Sequence, residues 1–73
     1  MPNYKLALAA MHRICKKAGA ERVSESAVEE LAKVLEEVGI KIAGEAVIYA
    51  MHAGRKTVKD RDIDIATRKM IQS

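Results

Sequence analysis

From Ser24 to His52 the chain carries one uninterrupted helical pattern, and nothing else constrains its fold as strongly. Val28, Leu31, Leu35, Val38, Ile42 and Tyr49 recur at spacings of three, four and seven, with Val34, Ala46 and Ala50 widening the stripe. That is the period of one face of an α-helix. Ser24 offers an N-cap oxygen, and Glu25 and Glu29 lie near the positive end of the helix dipole. Roughly 28 helical residues make a rod of about 42 Å. A compact globule of 73 residues has a radius of gyration of only about 11 Å. Two short flanking helices cannot cover such a rod. A second chain is expected to cover the rest, by crossing helix 2 on helix 2.

The flanking helices are short. Helix 1 is expected over about 4–17, with Leu6, Ala10, Met11 and Ile14 on its apolar face and Gly19 stopping it. Helix 3 is expected over about 59–70, with Thr57 and Asp60 spaced as a capping box and Val58, Ile63, Ala66, Thr67 and Met70 facing inward. No strand-like alternation of useful length occurs. The reading is one all-α domain over residues 1–73, a short helix, a long helix and a short helix joined by loops. A lone domain of this size is marginally stable. Cys15 is the only cysteine, so neither a disulfide nor a cysteine zinc framework supports it. Oligomerisation remains, around an aliphatic core, because the only aromatic residues are Tyr4 and Tyr49.

The charge is segregated. Arg13, Lys16, Lys17 and Arg22 cluster in 12–22, and Arg55, Lys56, Lys59 and Arg61 in 55–61. Five glutamates occupy 25–37 between them. The segments A-G-A-E-R-V-S (18–24) and A-G-R-K-T-V-K-D (53–60) share one layout. Each leaves a helix, turns at a glycine, presents cations and enters the next helix. Positive charge gathered at helix junctions suits a phosphate backbone, although solvated helix faces would look alike in sequence.

Other classes find little support. No apolar run is long enough for a membrane span, and residues 6–11 are too short for a signal peptide core. A reducing, cytoplasmic setting is expected. His12 and Cys15 lie three apart on one helix face, but two ligands fall short of a zinc site. Cys15 reads better as a small apolar residue. No phosphate-binding glycine loop or catalytic triad is present, so neither an enzyme nor a cofactor is expected.

The segments K-K-A-G-A-E-R-V-S (16–24), L-A-K-V-L-E-E-V-G (31–39) and H-A-G-R-K-T-V-K (52–59), followed by Asp62 and Ile63, closely resemble the archaeal histones, the minimal histone fold. The resemblance spans about residues 6–70. It implies a handshake dimer, association of dimers into tetramers or longer assemblies, and double-stranded DNA wrapped outside without sequence preference. Self-association is implied, with another histone as a further partner, as is a place on the chromosome in the nucleoid. By that resemblance Arg22 enters the minor groove, Thr57 braces it, and Lys56, Arg13, Lys16 and the helix start at Ser24 contact phosphate. Arg55 and Asp62 match an internal ion pair. Tyr49, His52 and Asp62 fall where dimers meet, and Gly19 where successive DNA turns approach. The alternative is a histone-fold protein-interaction module in a transcription complex.

The sequence also departs from that family. L-A-L-A-A at 6–10 stands where prolines are usual, and His12 where a small residue is common. Ile40, Ile48 and Met51 replace charged residues and form an apolar stripe with Gly44. Ile48 and Met51 are accordingly expected to join the contact between dimers, unless the stripe is only scattered surface hydrophobes or supplementary core.

Overall fold

A computed structural model describes the backbone of residues 4–72 and the side chains of residues 7–72. Three helices follow in order: α1 Tyr4–Lys17, α2 Glu25–His52 and α3 Asp60–Gln72. No strand occurs among the described residues. The expected order and type of elements are therefore observed, with α3 running two residues further than its pattern indicated. Leu6, expected on the apolar face of α1, lies outside the described side chains.

The chain divides within α2 into two compact units, Met1–Glu36 and Glu37–Ser73. In the first, Val28 is buried, and Leu8, Met11, Ala20, Val23 and Leu31 are half-buried. α1 ends in a Schellman turn: the Gly19 N–H donates to the Lys16 carbonyl at 3.0 Å and the Ala20 N–H to the Cys15 carbonyl at 3.1 Å. Gly19 takes the left-handed φ of 112° that this turn requires. At the other side of the loop, Ser24 Oγ accepts the Ala27 N–H at 3.1 Å, the N-cap expected of it.

The second unit repeats the device. The Gly54 N–H donates to the Met51 carbonyl and the Arg55 N–H to the Ala50 carbonyl, both at 2.9 Å, with Gly54 at φ 72°. Ala46 and Ala50 of α2 and Ala66 of α3 are buried, while Ile42, Tyr49, Thr67 and Met70 are half-buried. Alanines at these positions let helices approach closely.

A Cβ at Gly54 would meet nothing within 4 Å, so only the backbone angle resists substitution there. Gly54→Val is therefore expected to cost about 2 kcal/mol, lowering the melting temperature by roughly 8–16 °C. Circular dichroism melts of the two chains measure it, and equal melting would show that the turn tolerates another conformation.

Several expected core residues are not covered. Ile14, Val34, Leu35, Val58 and Ile63 all remain exposed. The helical period identified the faces on which they lie, but this chain alone supplies too little apolar surface to close over them.

Candidate nucleic-acid interface

Around the first loop the basic side chains have separate fates. Lys16 Nζ donates to the Glu21 carbonyl and so ties the end of α1 to the loop. An ammonium has three donors, so two remain. The Arg22 side chain is exposed and pairs with no described residue. Arg13 is exposed on α1, three residues before Lys16 and four before Lys17, hence on a shared helical side. Ser24 Oγ shares a hydrogen bond with Ser26 Oγ at 3.2 Å. Capping at Ala27 leaves the N–H groups of Glu25 and Ser26 open at the start of a 28-residue helix, as first-turn donors are.

Around the second loop, one cation is spent on the fold. Arg55 grips Asp62 with both arms, Nη1 to Oδ2 at 2.8 Å and Nη2 to Oδ1 at 2.9 Å. Nη1 also donates to the Thr57 carbonyl at 2.9 Å. The Lys59 N–H donates to Asp62 Oδ2 at 2.8 Å. Asp62 thus caps α3 from its third position, and the Thr57–Asp60 capping box expected from spacing does not form. Asp62 lies one helical turn beyond Lys59 and already faces Arg55, so it wins the N–H. Its side chain is 3 % exposed and that of Arg55 20 %. The guanidinium hydrogen bonds, then the Lys59 N–H, outweigh the burial and hold the Asp62 carboxyl far below the ordinary carboxylate range. The Arg55 guanidinium is in turn held more firmly protonated, chiefly by its hydrogen bonds to Asp62. Lys56 and Thr57 remain exposed on this braced loop.

The residues expected between dimers are distributed unevenly. His52, Ile48 and Met51 are exposed and Tyr49 half-buried. Asp62 is committed to Arg55 and Lys59. With three of roughly four carboxylate acceptor positions used, it has room for one more donor. Sequence reasoning missed a cluster beside Tyr49. Lys69 Nζ lies 3.4 Å from Glu45 Oε2, and its pKa is raised first by Glu45 and then by Tyr49. A separation of 24 positions concealed that pairing. His12 lines an open cavity of about 330 Å³ with Leu8, Val23, Val28 and Glu29. No group of three His, Cys, Asp or Glu side chains is placed to hold a metal among the described residues, and no described helix is long and apolar enough to cross a membrane.

Known proteins carry similar sequence over nearly the same length. Residues 4–67 match the family described as histone-like transcription factor (CBF/NF-Y) and archaeal histone. The chain is 48% identical over 64 residues to the archaeal histone HAN1 of Thermococcus zilligii, covering 88% of this chain and 96% of that protein. It is 50% identical over 64 residues to probable archaeal histone 3 of Methanocaldococcus jannaschii, with the same coverage of each. A more distant likeness, 36% over 47 residues, covers 64% of this chain and 9% of centromere protein T of Rattus norvegicus. With three helices in this order and archaeal histones matching almost throughout, the chain belongs to the family of histone-like transcription factors and archaeal histones, as a DNA-binding architectural protein of chromatin.

Proposed function

We propose that copies of this chain pair through α2 as a handshake homodimer and bend duplex DNA around their outside. The observation that carries this reading is the division of labour in the two glycine-turned loops. Arg55 is consumed in bracing its loop, whereas Arg22, Lys56 and Thr57 stand exposed. The first loop of one copy would lie beside the second loop of the other. Arg22 would then enter the minor groove, which suits a guanidinium because it sheds water more readily than an ammonium. Thr57 would brace it there. Lys56, Arg13, the remaining donors of Lys16 and the open N–H groups after Ser24 would take phosphates. The uncovered Val34, Leu35 and Ile14 are the apolar surface a second copy would bury.

Tyr49, His52, Ile48, Met51 and the spare acceptor of Asp62 would serve contacts between dimers, building tetramers or longer assemblies. Another histone is an alternative partner for the same surfaces. Gly19, with open space where a Cβ would stand, would permit close approach of successive DNA turns. Wrapping by backbone contacts and minor-groove arginines is the general mode of histone octamers, and the protein would reside on the chromosome.

Micrococcal nuclease digestion of complexes with long mixed-sequence DNA tests this reading. Protected fragments growing in even steps are expected, with protection lost steeply as salt rises. A single protected size would limit assembly to isolated dimers or a closed particle. Absence of salt-sensitive protection would overturn the DNA reading in favour of a protein-interaction module.

A further inference from the structure

The row Ile40, Gly44, Ile48 and Met51 on α2 is left uncovered by the rest of its compact unit. Ile40 is 65% exposed, Ile48 48% and Met51 67%. At about 100° per residue, the buried Ala46 and Ala50 lie roughly 160° and 120° around the helix from Gly44. The row therefore faces away from the side on which α2 is packed.

We propose that this row is a contact surface for a second copy of the chain, with α2 crossing α2 at Gly44. Residues four apart form the ridges of a helix surface, and two such ridges interdigitate at about −50°, the commonest helix-packing class. Ile40, Gly44 and Ile48 are one such ridge with a notch at its centre. Gly44 is exposed, and a Cβ there would meet nothing within 4 Å. Two axes crossing at paired notches approach to about 8 Å, the close end of the usual range. The ridge also reads the same in both directions, isoleucine, glycine, isoleucine. A two-fold axis through Gly44 places Ile40 of each copy against Ile48 of the other, which is the defining property of an isologous contact.

DNA does not fit the row. No cation lies on it, and the charged residue that continues its line is the exposed Glu37. A row of four residues is smaller than the roughly 1,000 Å² that a stable interface needs. The contact is thus weak between free copies and strengthens when copies are held close together, as along one DNA molecule.

Gly44→Cys in a Cys15→Ser background tests the crossing. Mild oxidation of the full-length protein is expected to link pairs of chains through position 44, faster with long duplex DNA than without it. A Glu30→Cys chain in the same background should link far less. Gly44→Leu separates fold from contact. Its side chain enters open space and removes a helix-interior glycine, so the melting temperature should hold or rise. Yet the largest species in sedimentation equilibrium should dissociate roughly tenfold more readily. Ile48→Glu should do the same. Linking at position 44 no greater than at position 30, or unchanged association in both variants, would overturn the contact. Binding of these variants to a short duplex reads DNA affinity separately, so failure of that reading leaves this one standing.

Discussion

Arg22→Ala is expected to weaken binding to mixed-sequence duplex DNA by roughly 10- to 100-fold near physiological salt, with no change in melting temperature. The separation of the two effects follows from the structure. Arg22 is exposed and pairs with nothing described in the fold, so truncating it disturbs no intramolecular contact. What it removes is a cation on a loop fixed by the Gly19 turn and by Lys16. In a homodimer each substitution removes two cations, and the slope of log affinity against log salt should fall by about 2. Arg22→Lys keeps the charge but loses the planar, weakly hydrated guanidinium, so it should recover the salt slope and only part of the affinity. Fluorescence anisotropy across a salt series measures both. Unaltered affinity in Arg22→Ala would remove that arginine from the interface and shift weight to Lys56 and α1.

Asp62→Asn should act in the opposite way, on the fold first. Asp62 accepts both arms of Arg55 and the Lys59 N–H, so it closes the second loop and caps α3 at once. An amide offers one oxygen and no charge, leaving Arg55 short of a partner in a half-covered position. The expected loss is on the order of 10 °C in melting temperature. Its pH dependence is specific. Asp62 titrates at 3.8 when unperturbed and lower in the fold. Above about pH 4 both states are ionised and the full stabilisation is present. As pH falls below that value the unfolded chain takes up a proton that the folded chain refuses, and stability declines. The parent protein should therefore lose stability in acid more steeply than Asp62→Asn, and the two melting curves should converge as pH drops towards 2. Parallel curves would mean that other carboxylates govern acid unfolding. DNA affinity of Asp62→Asn, measured below its melting temperature, should fall as well, because Lys56 and Thr57 stand on the loop that Asp62 braces.

The helices and turns were legible because their signals are local. Ser24, Gly19 and Gly54 bound the elements through backbone chemistry that acts within a few residues. The α3 cap was misread for a related reason. Thr57, Asp60 and Asp62 are all reasonable capping residues in sequence, and only the position of Arg55 selects among them. Lys16 carries the same charge as Lys17, yet only the loop path shows that it reaches the Glu21 carbonyl. Lys69 and Glu45 could not be paired from sequence, since nothing local links residues on different helices.

By itself the sequence determined the order of helices, the glycine turns between them, and the gathering of cations at both junctions. These depend on capping, φ preferences and charge, which a short window of residues sets. Tertiary structure decided which cations are spent and which are free, and which apolar residues the chain covers with its own elements. A period of 3.6 residues marks a face but not what lies against it. Arg55 and Arg22 therefore look alike in sequence until Asp62 closes on one of them, and Ile48 looks like Ala46 until the helix is seen to bury one and expose the other.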